Sequence, residues 1–357
     1  MSTATEIAES VFRQLTPTHG KGKLPRFVAV PGNDEVRWLL PFGGAKARQV
    51  LANWSPYRWR SRMGWAAIRA ANLVGHVREL PGAVELAWNS GGGADWASLG
   101  WQGREEPIPV IYLGSPGPQR KAVVHLVERG SGKCQAVVKV PLAEEAKAAI
   151  LHEADVLELL EKQRYGHAPR LLHVDPERGV TTQTFVEGHP GRRRLAPEHW
   201  RLLRSLLLPG ETTSLSAWSA HWGHEAGSPA WAVEQLREDS PLPACWEHGD
   251  FAPWNIRRTT GGECALLDWE NARRGGLPLM DAFHFLHMQN LLFGGRPQMY
   301  WPKLWDPAME MGIAPSQVRS LELAYLVCAV VECTRQRNAT RQRFLQATLE
   351  LSRRRVA

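Results

Sequence analysis

The stretch "EHGDFAPWNIRR", residues 247–258, decides how this chain is read. Asp250 and Asn255 stand five residues apart, and nothing between them ionises: Phe251, Ala252, Pro253 and Trp254 form a stiff apolar run. His248 and Gly249 come just before. Such a loop holds a carboxylate and a carboxamide at a fixed separation. A second stretch, "ECALLDWEN", follows at residues 263–271. Cys264 to Leu267 read as a short buried strand, and Asp268 stands at its end. Acids often close strands in turns, so Asp268 alone says little. Together with Asp250 and Asn255 it says more. Asn255 and Asp268 are oxygen donors of the kind Mg²⁺ prefers, and Asp250 can take a proton from an attacking hydroxyl.

Upstream, the pattern is that of an α+β lobe. "PVIYLG", "KAVVHLVE" and "QAVVKV" read as strands, "EEAKAAILHEADVLELLEKQ" as a helix, and "RLLHVD" and "VTTQTFVEG" as two more strands. Lys139 lies inside the third strand among apolar neighbours. Glu153 follows fourteen residues later, in the middle of the helical stripe of Ala146, Ile150, Leu157 and Leu160. A carboxylate on an apolar face is costly unless paired, and Lys139 is its natural partner.

The order H-G-D-x-x-x-x-N, then thirteen residues to D-W-E, resembles the aminoglycoside phosphotransferase and choline kinase branch of the protein-kinase-like fold. The resemblance spans about residues 108–290. It implies a bilobal α+β protein, with a small antiparallel-sheet N-lobe and a mainly helical C-lobe; the residues before it read, outside the resemblance, as an extra N-terminal α/β segment. It also implies roles: Asp250 as base, Asn255 and Asp268 as Mg²⁺ ligands, and Lys139 with Glu153 at the phosphates of ATP, GTP being an alternative donor. By the same resemblance Gly114, Ser115 and Gly117 occupy the phosphate-loop position, but Pro116 and Pro118 have no N–H to offer, and a plain tight hairpin is the equal alternative. Thr184, Phe185, Val186 and Glu187 occupy the hinge whose backbone meets adenine. His248 braces the loop, and Asp281 supports it or caps the next helix.

The remaining sequence sets limits. The 357 residues with a net charge of +7 suit two domains or a bilobal domain with an extension. The glycine run in residues 89–109 reads as a linker or long loop, which suggests an extension at 1–103, a nucleotide lobe at 104–188 and a helical lobe at 189–357. Within 1–103, "RFVAVPGNDEVRWLLP" reads as two strands about a turn, "GWAAIRAANLVGHV" as a helix and "AVELAWN" as a strand. Five scattered cysteines form no CxxC pair, the start is no secretory signal, and no run is long enough to span a membrane. A cytoplasmic protein is expected.

After Asp281 there are five acids against ten Lys or Arg. That balance disfavours a polycationic acceptor and favours a neutral or anionic one, such as a sugar. Two other classes are weaker: a non-catalytic nucleotide-binding scaffold on the same fold, and single-strand nucleic-acid binding through "NWSPYRWRSRMGW". A nucleic-acid partner is not expected.

Overall fold

The structure is a computed structural model. It describes residues 4–15, 26–31, 36–42, 45–56, 59–86, 94–222, 225, 227–237, 239–336 and 338–354. It divides into two compact units: residues 1–190 with 257–260, and residues 191–256 with 261–357.

The first unit opens with helix α1 (Ala4–Leu15), strands β1 (Phe27–Val30) and β2 (Trp38–Pro41), helices α2 (Arg48–Asn53) and α3 (Trp59–Val74), and strand β3 (Val84–Leu86). Strands β4 (Ile108–Leu113), β5 (Lys121–Val127) and β6 (Cys134–Pro141) follow. Helix α4 (Glu144–Lys162) then leads to β7 (Leu171–Asp175), β8 (Val180–Thr184) and the short β9 (His189–Pro190). All eight strands from β1 to β8 join one sheet, in the order β3-β1-β2-β4-β5-β6-β8-β7. Each neighbouring pair is antiparallel. The five strands β4–β8, with α4 between β6 and β7, form the small antiparallel lobe expected from the sequence. The N-terminal strands lengthen that sheet by pairing β2 with β4, so the sheet does not break at residue 103. The turn between β1 and β2, the end of the "AVELAWN" stretch and the glycines at 91–93 lie outside the described residues. Ala94, Trp96 and Leu99, from the expected linker, sit in the core.

Two cores flank this sheet. On one face Leu39, Ile111, Leu113, Ala122, Val124, Val138 and Val140 pack with Ile7, Val11, Phe12 and Leu15 of α1. The sequence reading had left that helix out. Its apolar residues recur at i, i+4, i+5 and i+8, the spacing of one helical face. On the other face Trp38, Leu40, Val110 and Cys134 pack with Val50, Leu51 and Trp65 of α2 and α3. Trp38 and Trp65 turn inward in an aromatic cluster with Trp54 and Tyr112, so packing accounts for tryptophans that could have stacked on bases.

The second unit is mainly helical. Helix α5 (Pro197–Ser205) is followed by strand β10 (Leu207–Thr213), helices α6 (Leu215–Trp222) and α7 (Ala230–Glu234), and strand β11 (Leu242–Glu247). Of strand β12 (Ile256–Arg258), Arg257 and Arg258 are part of the first unit and pair there with β9; β13 (Cys264–Leu266) and β14 (Arg273–Gly276) come next in the second. Helices α8 (Met280–Leu292), α9 (Trp305–Met309), α10 (Pro315–Arg335) and α11 (Ala339–Arg354) complete the chain. Strand β10 was not expected, because Pro209 and Gly210 read as breakers. The register shift between Leu207 and Thr212 absorbs them, and β11 lies between β10 and β14. Helix α10 is apolar nearly all round and packs against α6, α7, α8, α9 and α11. No helix among the described residues is long and apolar enough to cross a membrane.

Phe12 is almost wholly buried, its ring 5.2 Å from that of Phe27. Phe12→Ala is expected to destabilise the fold by about 3–5 kcal/mol, read as a lower urea midpoint. An unchanged midpoint would show that α1 contributes nothing to this core.

Candidate active site

In the first unit, the apolar neighbours of Lys139 bury its side chain and α4 carries Glu153 to it. Lys139 Nζ lies 2.8 Å from Glu153 Oε1 and 2.6 Å from Oε2, with the side chains 6% and 1% exposed. The stripe Ala146, Ile150, Glu153, Leu157 and Leu160 is buried throughout. Two charges removed from water at this depth hold each other in one geometry, and losing either would leave the other uncompensated.

The segment from Gly114 to Gly117 is a tight hairpin. Gly114 N–H donates to Lys121 O at 2.9 Å and Arg120 N–H to Gly117 O at 3.1 Å. The Gly114 N–H thus serves the strand ladder. Ser115 and Gly117 keep the position. In the hinge stretch, Thr184 N–H donates to Arg170 O and Phe185 N–H to Gln135 O, which leaves Val186 and Glu187 as candidates to donate to a base. Asn53, at the end of α2, holds this stretch from the N-terminal segment. Its Nδ2 donates to Val186 O at 3.0 Å, and its Oδ1 accepts from Gly188 N–H at 2.7 Å. No sequence signal marked Asn53, because 133 residues separate it from Val186.

In the second unit, the loop after β11 is built around Gly249. Its φ is +79°, and a Cβ there would lie 2.6 Å from Asn271 O, so only glycine fits. Asp281, in the first turn of α8, takes two consecutive amides: His248 N–H at 2.7 Å on Oδ2 and Gly249 N–H at 3.0 Å on Oδ1. The N-cap position is Leu279, so Asp281 is a loop brace rather than a cap. Burial pushes the Asp281 carboxyl up to about 7, against the pull of those two N–H groups.

His248 ties the two arms of the site together. Its Nδ1 accepts from Asp250 N–H at 3.3 Å, which leaves Nε2 to donate to Leu267 O at 2.9 Å, next to Asp268. Burial lowers its pKa, which suits the neutral tautomer these bonds require, and both Asp250 and Asp268 act on it electrostatically. Leu267 N–H also donates to Asn255 O at 2.8 Å. Asn255 Nδ2 donates to Asp250 O at 2.9 Å and to Asp250 Oδ2 at 2.8 Å, so its Oδ1 is left to accept. Phe251, Ala252 and Pro253 are buried beneath the loop, while Asp250 keeps its carboxylate 32% exposed.

One site residue escaped the sequence reading. His284 Nε2 lies 3.1 Å from Asp250 Oδ1, with the His284 side chain 9% exposed. The signal was present: Asp281 and His284 are three apart on α8 and share a face. The Asp250 carboxylate is thus held on one oxygen by His284 and on the other by Asn255.

Asn255 and Asp268 supply hard oxygen donors only, and Asp268 stands at the left-handed φ of 68° at the strand end. That donor set fits Mg²⁺, which takes one or two protein oxygens and completes its shell with phosphate and water. Among the described residues no cluster of three His, Cys, Asp or Glu is placed to hold a metal, and such a Mg²⁺ needs none.

A family model described as the phosphotransferase enzyme family matches residues 117–301, just over half of the chain. The chain belongs to the phosphotransferase enzyme family. Its matched region contains Lys139, Glu153, the Asp250–Asn255 loop, Asp268 and Asp281. No curated protein sequence matches this phosphotransferase-family chain. Among solved structures it is similar to choline kinase from Streptococcus pneumoniae, with 12% identity over 67% of this chain and 92% of that one at a TM-score of 0.46. A thermostable mutant of an aminoglycoside phosphotransferase shares 13% identity over 69% of this chain and 94% of that one at 0.47. A macrolide 2'-phosphotransferase from Brachybacterium faecium shares 16% over 67% and 91% at 0.44.

The raised Asp281 pKa sets a pH dependence. The unfolded chain releases this proton near the ordinary 3.8 and the folded chain holds it to about 7. Its contribution to stability is therefore full below about 4 and is lost as pH rises through about 7. Asp281→Asn cannot titrate, so wild type should lose stability relative to it across that window in thermal melts. Parallel pH profiles would contradict the buried, proton-holding Asp281.

Proposed function

We propose that the protein is a Mg²⁺-dependent small-molecule kinase that transfers the γ-phosphoryl group of ATP, or of GTP, to a hydroxyl. The observation that carries this reading is the Asp250 carboxylate, fixed by Asn255 and His284 yet open to solvent. Lys139, held by Glu153, binds phosphate oxygens of the nucleotide, with backbone N–H groups of Ser115 and Gly117 as further donors. Backbone groups of Phe185, Val186 and Glu187 take the base. Asn255 and Asp268 hold Mg²⁺, which when bound neutralises charge on the phosphates. Asp250 orients the acceptor hydroxyl and takes its proton. The acceptor oxygen bonds to the γ-phosphorus, the bond from that phosphorus to the bridging oxygen breaks, and the nucleoside diphosphate leaves. Little covalent chemistry falls to the protein; positioning and charge stabilisation carry the rate.

The acceptor is a neutral or anionic small molecule. Of the five acids after Asp281, Glu322 is fully buried: it accepts from Tyr300 N–H and Trp301 N–H, and its Oε1 lies 2.8 Å from His287 Nε2. Glu310 pairs with Arg204 and Glu332 with Arg335. Few carboxylates there remain for the walls of a polycation site.

γ-Labelled ATP with Mg²⁺ and a panel of neutral sugars, sugar phosphates and aminoglycosides tests this. Label should appear on a neutral or anionic acceptor. Asp250→Asn should lower the rate about 10²–10⁴-fold and leave nucleotide binding in place. Undiminished turnover in that variant would remove Asp250 from the mechanism, and transfer to aminoglycosides alone would overturn the acceptor class.

A further inference from the structure

Two arginines at the end of the β4–β5 hairpin lack the partners their charge calls for. Arg120 ends the hairpin. Its Nε and Nη2 are buried, and among the described residues neither has a hydrogen-bond partner. Arg37 comes from the N-terminal segment, just before β2, and among the described residues makes one side-chain bond, from Nη1 to Ser115 Oγ at 3.1 Å. Among the described residues no carboxylate pairs with either. They are also close enough to repel: after burial itself, the charge of Arg37 is the second cause that lowers the Arg120 pKa.

The register fixes where they stand. Leu113 N–H donates to Arg37 O and Leu142 N–H to Arg120 O, so both residues continue the strand ladders by one rung. Alternation places Arg37 with Leu39, and Arg120 with Ala122. Leu39, Leu113, Ala122, Val138 and Val140 line the face packed by α1. Lys139, between Val138 and Val140, points to the other face. The arginine pair is therefore distinct from the lysine proposed for the nucleotide.

Buried N–H groups almost always find an acceptor, and those of an ion are the most costly to leave without one. Two adjacent guanidinium groups with no counter-charge among the described residues form the complement of an anion with several oxygens. The planar fork of arginine matches a phosphate's oxygens two at a time. A neutral or singly charged ligand would leave part of the repulsion standing. Arg120 is only half-buried overall, which leaves a solute a way to reach the guanidinium.

We propose that Arg37 and Arg120 bind a small oxyanion of the phosphate type on the α1 face of the sheet, using one arginine from the N-terminal segment and one from the kinase-like sheet. Bound there, the anion would satisfy the buried N–H groups of Arg120 and, through Arg37 and Ser115, steady the hairpin. The chemistry is shared by inorganic phosphate and by phosphate groups of nucleotides, and the two are separated by experiment.

The test is thermal unfolding of the full chain in inorganic phosphate, with sodium chloride holding the ionic strength constant. Phosphate should raise the wild-type Tm saturably. In Arg37→Gln and Arg120→Gln the rise should fall to the level that chloride alone produces. In the double variant Lys139→Met, Glu153→Gln, which removes both charges of the buried pair together, it should persist. A phosphate effect absent from wild type, retained in both arginine variants, or lost in the double variant would overturn the site. Among the described residues the Arg37 side chain bonds only to an exposed serine, so its variant decides the matter if Arg120→Gln fails to fold. Titrating MgATP in the same series separates the sources: its effect should need Lys139 and not the arginines. An ATP effect that vanishes with the arginines would place the nucleotide's own phosphates on them and overturn the separate site. Wild type that responds to phosphate and not to MgATP would sink the kinase reading and leave the oxyanion site standing.

Discussion

Two consecutive backbone N–H groups, those of His248 and Gly249, end on one buried carboxylate. That capture by Asp281 sets the direction in which the chain leaves β11, and the loop geometry follows from it. Gly249 can meet it because its left-handed conformation and close approach to Asn271 exclude any side chain. His248, turned by the same corner, spans from the Asp250 amide to the Leu267 carbonyl. It thereby ties the loop that holds Asp250 and Asn255 to the strand end that holds Asp268. Without the carboxylate the two amides would be buried donors with no acceptor, a cost of about 1–3 kcal/mol each. The apolar run of Phe251, Ala252 and Pro253 then has a simple purpose. It fills the space under the loop, which leaves Asp250 partly exposed and Asn255 bonded to it.

The Lys139–Glu153 pair plays the same part in the first unit. A buried ion pair is a poor source of stability but a strict one of geometry. It positions an ammonium group that has no apolar alternative, and the strand and helix that carry it are otherwise apolar on these faces. Asn53 and Arg37 add an unexpected element, since both belong to the N-terminal segment. One fixes the stretch after β8, and the other bonds to the hairpin after β4. The pairing of β2 with β4 makes this possible: the segment extends the sheet rather than hanging from it.

What could be read in the sequence was what is local or carries costly chemistry. The spacing of Asp250, Asn255 and Asp268 is short-range and built from residues that rarely stand together by chance. Glu153 showed itself as a charge on an apolar helical face. The helix α1 was legible in principle, through Ile7, Val11, Phe12 and Leu15, but apart from Phe27 and Ala29 the strand and loop residues it packs with lie more than twenty residues away. Strand β10 was hidden by Pro209 and Gly210, which read as breakers unless the bulge that accommodates them is known. The continuity of the sheet across the glycine run depends on β2 meeting β4, a pairing that neither strand's composition encodes. His284 was legible in its spacing of three from Asp281, but its contact with Asp250, 34 residues away, was not.

Whether Asn255 and Asp268 form a metal-dependent nucleotide site decides the chemistry of this protein. Isothermal titration of ATP into the full chain, with Mg²⁺ and then with excess chelator, addresses this most directly, with Asp268→Ala as the paired sample. Binding that requires Mg²⁺ and is weakened at least tenfold by Asp268→Ala is the predicted result. ATP binding of equal strength with and without the metal, or untouched by the substitution, would contradict it.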